Sequence, residues 1–406
     1  MKNVDRIIVH MDLDTFFVSV ERLIDSRLKN KPVLVGGTSE RGVVASCSYE
    51  TRKMGVSSGM SMKMAKQLCP EAIVVRGDSA KYSYYSKIIS EMVKEQVPLF
   101  EKTSIDEFYV DLSGMDHFFG SYKLASELRT KIIRETSLPI SFGMSINKTV
   151  AKIATGEAKP NNQIDVKKGQ EKTFIAPMLV QKIPMIGEKT AYNLNRMGVK
   201  YIKTLQEMPM KMMENAFGKQ GIVMWQKANA IDNSPVVPHY ERKSISTERT
   251  FERDSIDVKM IKNQLRAMVE QLCFELRRGD KLTSCVTVKI RYADFQTYSK
   301  QKYIPYSASD HTLTQYVMDI FDKLFERRLL IRLVGVRMSH LVGGGHQINM
   351  FEDSVELLKL YQAMDKMKIR FGQHKLQRAS SLHTMSLSRS NPFSGEPPSI
   401  PAHRRV

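Results

Sequence analysis

Carboxylates stand at two places in the chain where predicted strands end or begin. Asp12 and Asp14 lie at the end of the first predicted strand, and Asp106 and Glu107 lie at the start of a later one. Mg²⁺ prefers the oxygens of carboxylates, backbone carbonyls, water and phosphates. A pair of such ions can activate an attacking hydroxyl group and stabilise a leaving pyrophosphate. One hypothesis is therefore a divalent-metal site for phosphoryl chemistry.

These acids also have an ordinary explanation. Acidic dipeptides are common, and strand-end acids are usually just solvated. Neighbouring side chains in a regular strand point to opposite faces. Asp106 and Glu107 can therefore share a metal only if the chain turns or bulges between them, which the sequence permits but does not show.

Three further residues could contact phosphate groups. Tyr49 and Arg52 are three positions apart in a predicted helix, so they share one helical face. Both side chains can donate to phosphate oxygens, and an Arg does so bidentately. Lys159 follows a later predicted helix. The alternative explanation is that Tyr49 is an ordinary half-buried side chain and that Arg52 and Lys159 are ordinary exposed cations.

The elements that must position these residues alternate between strand and helix. Short apolar runs predict the strands, and apolar residues at helical spacing predict the helices. Such alternation predicts an α/β or α+β domain with a mixed sheet. The predicted strands are 6–11, 32–36, 42–45, 73–75, 108–112 and 139–145, and the predicted helices are 15–24, 61–68, 80–95, 122–135 and 147–157.

The rest of the chain changes character three times. Residues 173–233 read as all-helical, and residues 232–243, with two prolines and mixed charge, read as an exposed linker. Residues 244–341 then predict a compact βαββαβ unit. A glycine run at 343–345 marks a flexible break. A further helix is predicted at 357–371, and a polar, Ser- and Pro-rich segment at 380–406 is expected to be disordered.

Composition limits the class of protein. The chain has 406 residues, which suggests several domains, and a formal net charge of +19, which suggests a polyanionic partner. We find no apolar run long enough to span a bilayer and no secretory signal pattern. The four cysteines form no CxxC pair, which fits a reducing compartment. We therefore expect a cytoplasmic protein that does not associate with membranes.

Four motifs, in this order and at sensible spacing, resemble those of the Y-family translesion DNA polymerases, in particular the bacterial DNA polymerase IV type. The resemblance covers residues 5–350. The motifs are Met11-Asp12-Leu-Asp14-Thr-Phe-Phe17, Ser48-Tyr49-Glu-Thr-Arg52-Lys-Met-Gly55, Ser104-Ile-Asp106-Glu107-Phe-Tyr-Val-Asp111 and Ala158-Lys159-Pro160-Asn161.

The resemblance implies a multidomain α+β protein with the right-hand polymerase fold and a separate βαββαβ little finger domain. It implies a low-fidelity, template-directed DNA polymerase that adds deoxynucleotides to a primer end without proofreading. On the resemblance, the domains are a palm (1–14 and 74–165), fingers (15–73), a thumb with a helix-hairpin-helix (166–233), a linker (234–243), a little finger (244–342) and a C-terminal tail (343–406).

The resemblance also assigns roles to residues. It implies that Asp12, Asp106 and Glu107 bind two Mg²⁺ ions, with the Leu13 carbonyl as an extra ligand. Phe17 matches the position whose ring excludes a ribose 2′-hydroxyl. The residues implied to contact the incoming deoxynucleoside triphosphate are Phe16, Phe17, Ser46, Tyr49, Arg52 and Lys159.

The resemblance implies that the chain is a monomer. It also implies two macromolecular partners, primer–template DNA and a sliding clamp. Gly187 and Lys189 lie in a segment that resembles a helix-hairpin-helix, a sequence-independent backbone clamp. Residues 347–351 resemble the short peptide by which bacterial polymerases dock on the sliding clamp, with Gln347, Met350 and Phe351 as anchors. The little-finger residues proposed to follow the DNA backbone are Arg249, Lys289 and Arg291.

Three alternatives remain open at this point. The chain could be a catalytically weak scaffold that binds DNA, although the complete carboxylate set argues against that. It could be another two-metal enzyme such as a nucleotide cyclase, which would not need a helical clamp or a basic βαββαβ domain. Within the family, it could be a mutasome polymerase of the UmuC type that depends on other subunits.

Overall fold

A computed structural model describes residues 6–39, 41–115, 120–238, 241–343 and 355–372, together with residues 376, 378 and 379. The chain divides into two compact units between Tyr240 and Glu241. The strands of the first unit are β1 (Ile8–Leu13), β2 (Val33–Gly36), β3 (Val44–Cys47), β4 (Ile73–Val75), β5 (Leu99–Lys102), β6 (Glu107–Asp111), β7 (Ile140–Ser145) and β8 (Gln163–Asp165).

Helices connect these strands and then continue beyond them. The helices of the first unit are α1 (Phe16–Ile24), α2 (Tyr49–Lys53), α3 (Met62–Leu68), α4 (Ser79–Gln96), α5 (Ser121–Thr136), α6 (Lys148–Ala158), α7 (Glu171–Ile175), α8 (Glu188–Arg196), α9 (Ile202–Glu207), α10 (Met210–Phe217) and α11 (Lys219–Ala228).

The sheet that carries the predicted acids has the order β5-β6-β1-β7-β8. β1 lies in its centre and pairs antiparallel with both β6 and β7. Because side chains alternate along a strand, Val9, Met11 and Leu13 enter the core that α4 and α5 cover. His10 and Asp12 point to the opposite face, where the side chain of His10 meets α6 at Thr155.

Two smaller parts complete the first unit. A sheet of order β3-β2-β4 packs with α3 around its own apolar cluster. The helices α7 to α11 share another apolar cluster, which includes Ile186, Leu194 and Leu205. This agrees with the all-helical interpretation of residues 173–233. The sequence did not predict β5 and β8, because their segments, LFEK and QID, contain charged or polar residues and lack the apolar run that marks β2 and β4.

The predicted exposed linker is partly anchored to the first unit. Asp232 accepts hydrogen bonds from the backbone amide of Thr149 (3.1 Å) and from its hydroxyl (2.6 Å) at the start of α6. Val236 is buried, and the amide of Val237 donates to the Glu101 carboxylate (2.7 Å). The expectation of exposure was wrong for these residues, because an Asp and a Val in a Pro-rich segment find partners on the sheet and on α6.

The second unit follows the predicted βαββαβ order. Its elements are β9 (Ser244–Ser255), α12 (Val258–Arg278), β10 (Lys281–Tyr292), β11 (Thr297–Ser307), α13 (Asp310–Leu324) and β12 (Ile331–Gly343), followed by α14 (Val355–Phe371). The sheet has the order β11-β10-β12-β9, with α12 and α13 packed on one face. The basic side chains on its other face are therefore free of the core.

Helix α14 is held on this unit by one buried guanidinium. Arg277 donates to Asp310 and to Asp365, each at 2.6 Å, and lies 4.8 Å from the ring centre of Tyr361. The predicted clamp-binding residues 347–351 and the segment 380–406 lie outside the described residues. Within the described ranges, no helix combines the length and the apolar character needed to cross a membrane.

Candidate active site

The pairing of β1 with β6 brings the predicted acids together. Asp12 lies directly opposite Glu107 in the antiparallel register. Residues 104–106 form a bend just before β6 begins, and the backbone amide of Leu13 donates to the Asp106 carbonyl (3.1 Å). The chain therefore turns between Asp106 and Glu107, as it must if both are to serve one site.

Ser104 fixes this bend from within. Its hydroxyl oxygen accepts from the backbone amides of Asp106 (3.2 Å) and Glu107 (3.1 Å). Its proton is donated to the Asp106 carboxylate, at 2.5 Å. Ser104 therefore sets the direction of both the backbone and the carboxylate of Asp106.

Two ammonium groups contact the acids. Lys159 Nζ lies 2.5 Å from Asp12 Oδ1 and 3.8 Å from Asp14 Oδ1. Lys152, on α6, lies 2.7 Å from both carboxylate oxygens of Glu107. Sequence reasoning singled out Lys159 and missed Lys152, whose position on the inner face of α6 was the available signal.

Burial and mutual repulsion disfavour the charged acids. Burial raises the pKa of Asp12 to about 7, and the carboxylates of Asp106 and Glu107 add to that rise, while Lys159 opposes it. Burial likewise raises the pKa of Asp106, with Glu107 contributing. Each carboxylate would be stabilised in its charged form by added positive charge.

The donor set fits a hard divalent cation. Three partly buried carboxylates and the adjacent Leu13 carbonyl offer the oxygen ligands that Mg²⁺ prefers. In the part of the chain that the structure describes, however, no three His, Cys, Asp or Glu side chains are gathered as closely as a metal requires. Their role as ligands stays a prediction.

Asp14 has a different environment from Asp12. Its side chain is buried, and its carboxylate accepts from the Ser141 hydroxyl (2.9 Å) and from the backbone amide of Asn161 (2.5 Å). These bonds tie the segment after Lys159 to the end of β1. Asp14 therefore helps to place Lys159 beside Asp12.

His10 is a site residue that sequence reasoning missed. Its Nδ1 lies 2.9 Å from the Thr155 hydroxyl, and its Nε2 lies 4.0 Å from a Glu107 carboxylate oxygen. Burial, followed by the charge of Lys152, lowers the pKa of His10 well below its usual value, which favours the neutral ring. The signal was available, since a residue two positions before Asp12 shares its strand face.

The predicted phosphate ligands on α2 lie beside the same acids. Ser48 caps α2 by accepting from the Thr51 amide, and the Arg52 guanidinium lies 5.2 Å from the ring centre of Tyr49. The Tyr49 hydroxyl is buried and has no hydrogen-bond partner among the described residues. Burial and then the nearby Asp14 carboxylate raise the pKa of Tyr49. A donor is therefore available at the edge of the acidic cluster.

Phe16 and Phe17 begin α1, and Ser46 lies buried in β3. The Phe17 ring is stacked on Tyr82, with ring centres 4.3 Å apart and planes 16° apart. The Tyr82 hydroxyl donates to the Glu21 carboxylate (2.5 Å). Phe17 is thus a rigid surface with 8% of its area exposed.

The predicted DNA contacts fall into different environments. Gly187 is the residue before α8, and Lys189 in its first turn is exposed. Lys289 and Arg291 alternate with the buried Val288 and Ile290, so they lie on the open face of the sheet.

Arg249 does not share that face. It pairs with Val334, which in turn pairs with Ile290, so its side chain leaves β9 on the helical side of the sheet. Arg249 therefore lies on the opposite face of the sheet from Lys289 and Arg291, and its contact with DNA stays a prediction. Arg337, which pairs with Thr287, is exposed on the open face and was missed by sequence reasoning.

Known proteins resemble the chain along most of its length. The model of the impB/mucB/samB family matches residues 11–156, and the model of its C-terminal domain matches residues 242–350. A DNA polymerase IV of Dehalococcoides mccartyi is 36% identical over 376 residues, covering 92% of this chain and 96% of that protein. A DNA polymerase IV of Streptococcus pneumoniae is 34% identical over 345 residues, covering 84% and 98%.

Solved structures agree with this relationship. A Y-family DNA polymerase chimera of Dbh and Dpo4 matches with a TM-score of 0.75 and 26% identity, over 83% of this chain and all of that one. The insertion ternary complex of Dbh DNA polymerase matches with a TM-score of 0.61 and 25% identity over the same shares.

The fold and the similarities define the class of protein as a DNA-directed DNA polymerase that carries out translesion synthesis by metal-dependent nucleotidyl transfer. The chain belongs to the impB/mucB/samB family, the Y-family DNA polymerases. Its palm, fingers, thumb and little finger fold is the one expected from the sequence. No observation favours the scaffold, the cyclase or the UmuC-type polymerase.

Proposed function

We propose that this polymerase reacts at the edge of the β1–β6 pair, with two Mg²⁺ ions held by Asp12, Asp106, Glu107 and the Leu13 carbonyl. The observation that carries the proposal is the direct pairing of Asp12 with Glu107, beside a bend that presents Asp106. When bound, the ions supply charge neutralisation for the attacking 3′-hydroxyl and for the leaving pyrophosphate.

The side chains contribute position and charge to the reaction. The primer 3′-oxygen forms a bond to the α-phosphorus as the bond to the pyrophosphate oxygen breaks. Lys159 carries the positive charge nearest to Asp12, and it can move from the carboxylate to the triphosphate. His10 Nε2 lies 4.0 Å from Glu107, on the face of the sheet that α6 covers. Catalysis then depends mainly on orientation and electrostatics.

We assign the triphosphate to the surface formed by Tyr49, Arg52 and Lys159, with Ser46 and the first amides of α1 at Phe16 and Phe17 completing the pocket. The unpartnered Tyr49 hydroxyl supports this assignment, because a buried donor without an acceptor is costly unless a ligand accepts from it. Arg52 is exposed and can pair bidentately with phosphate oxygens.

Replacing Arg52 with Ala should raise the KM for the incoming deoxynucleotide about tenfold, because one charge-assisted pair to phosphate is lost. We expect a smaller change in kcat than in KM, because the carboxylates of the reaction centre remain in place. Steady-state single-nucleotide insertion measures both constants. Lys53→Ala is the matched control, since it removes a neighbouring exposed cation of the same helix. Equal effects of the two variants would contradict the assignment.

We propose the division into palm (1–14 and 74–165), fingers (15–73), thumb (166–233), linker (234–243) and little finger (244–342). Primer–template DNA is assigned to Gly187 and Lys189 in the thumb and to the open sheet face of the second unit. Lys289, Arg291 and Arg337 share that face, which supports backbone contact there. Such binding is strongly salt-dependent.

We also propose a sliding clamp as the protein partner of residues 347–351, through Gln347, Met350 and Phe351. The support is the sequence of that segment, which follows a glycine run. A monomer and a cytoplasmic location complete the proposal. All four cysteines are unpaired in the structure, which fits a reducing compartment.

The function is tested by extension of a primed template across an abasic site or an N2-guanine lesion. We expect the purified chain to extend past the lesion with Mg²⁺ and dNTPs, and to become more processive when a bacterial sliding clamp is loaded. A high-fidelity polymerase that stalls at the lesion is the control. Extension that appears only after accessory subunits are added would favour the UmuC-type alternative, and bound but unextended DNA would favour the scaffold.

A further inference from the structure

The bend that carries Asp106 lies outside the regular sheet, so ladder hydrogen bonds alone do not fix it. Within the bend, the amide of Thr103 donates to the Glu107 carbonyl (3.1 Å). On the side of the bend that faces Asp12 and Glu107, Ser104 holds Asp106 through two hydrogen bonds. The opposite side, towards α4, is held by a second group of polar side chains.

That group consists of Lys102 on β5 and Ser86 and Ser90 on α4. Lys102 Nζ donates to the hydroxyls of Ser86 (2.6 Å) and Ser90 (2.7 Å) and lies 5.6 Å from the ring centre of Phe108. The Ser86 hydroxyl donates in turn to the carbonyl of Ile105, the residue before Asp106. Ser86 is 2% exposed.

The choice of partners for Lys102 is unusual for a partly buried cation. Within the described ranges, its ammonium contacts hydroxyls, one carbonyl and an aromatic ring, and it forms no ion pair with a carboxylate. Burial lowers the pKa of Lys102 to about 8. A partly buried ammonium group polarises the hydroxyl groups to which it donates hydrogen bonds. Here it donates to the Ser86 oxygen, which strengthens the bond that Ser86 donates to Ile105.

We propose that Lys102 and Ser86 are positioning residues for Asp106. The connected bonds from the Lys102 ammonium through the Ser86 hydroxyl to the Ile105 carbonyl hold the bend from behind the sheet, so that the Asp106 carboxylate points into the acidic cluster. This inference rests on the proposed role of Asp106 as a metal ligand.

The test compares Ser86→Ala with Ser90→Ala. Both remove a hydroxyl that contacts Lys102, but only Ser86 bonds to Ile105. We expect Ser86→Ala to lower kcat by about 10- to 100-fold, because a small displacement of a catalytic group has a large effect. The Mg²⁺ concentration for half-maximal activity should rise, while the KM for dNTP and the Tm stay unchanged. Ser86→Thr, which keeps the hydroxyl, should restore the activity.

A second readout does not depend on turnover. Mn²⁺ bound to the complex of the full chain with primer–template and a non-hydrolysable dNTP analogue is counted by electron paramagnetic resonance, and Ser86→Ala should weaken that binding about tenfold, in line with the rate. If Ser86→Ala lowers the Tm, Lys102→Met is judged by the same two readouts.

The outcomes separate this inference from the proposed function. Wild-type metal dependence in Ser86→Ala, or equal losses in Ser86→Ala and Ser90→Ala, would overturn the positioning role alone. Retained extension by Asp106→Ala would instead overturn the proposed metal site, whatever the serine variants show.

Discussion

Replacing Asp106 with Ala is expected to abolish primer extension while primer–template DNA remains bound. The carboxylate of Asp106 is partly buried beside Asp12 and Glu107, and the proposed metal site requires its charge and its oxygens. Because metal contributions to such transition states amount to several kcal/mol, the rate should fall by about 10³-fold or more. Gel-based primer extension measures the rate, and fluorescence anisotropy of labelled DNA measures the binding.

The matched control is Asp111→Ala. Asp111 lies at the far end of the same strand β6, and its carboxylate accepts from the amide of Ser113 (2.9 Å). Losing this local bond should leave extension near the wild-type rate. Extension by Asp106→Ala at a comparable rate would show that the acids of β1 and β6 do not form the reaction centre.

Much of the fold could be predicted from the sequence because its signals are local. The apolar run of β1 and the helical spacing of α1 are complete within a few residues. The βαββαβ unit was predicted because its strands and helices are long, so that each contains enough residues for a clear pattern. The segment around Asp232 could not be predicted, since its anchoring depends on groups such as Glu101 and Thr149 that are distant in sequence.

The site shows the same division between local and distant information. The motifs point to Asp12, Asp106 and Glu107, but only the register of β1 and β6 reveals that two of them face each other. For Lys152 and His10 the spacing was available as a local signal, but their contacts with Glu107 and Thr155 appear only when α6 is packed across β1. A network such as Lys102, Ser86 and Ile105 joins β5, α4 and a bend, and no spacing rule connects those segments.

The sequence also could not predict which face of the sheet each basic residue of the second unit occupies. Positive charge within the little finger domain that the resemblance implies selected Arg249 together with Lys289 and Arg291. The bulges in the β9–β12 and β10–β12 pairs are not visible in the sequence, and the register of these pairs decides which side of the sheet each residue occupies. A shift of one residue in the pairing register moves every side chain of a strand to the opposite face of the sheet.

Replacing Phe17 with Ala is expected to raise ribonucleotide incorporation by about two orders of magnitude while DNA synthesis continues, because discrimination by a steric clash is lost when the clashing ring is removed. The ring can act as a wall since it is stacked on Tyr82, whose hydroxyl is held by Glu21. The ratio of kcat/KM for a dNTP and the matching rNTP, measured opposite the same template base, checks the prediction.

Loss of a buried ring also destabilises the core, typically by about 3–5 kcal/mol for Phe→Ala, so the comparison needs a variant with a similar structural cost. Phe16→Ala provides it, because Phe16 belongs to the same apolar cluster and is 2% exposed. Phe16→Ala should lower the Tm without changing the sugar ratio, whereas Phe17→Ala should change the ratio at assay temperatures below either Tm. If both variants keep the wild-type preference for deoxynucleotides, sugar discrimination does not depend on the Phe17 ring.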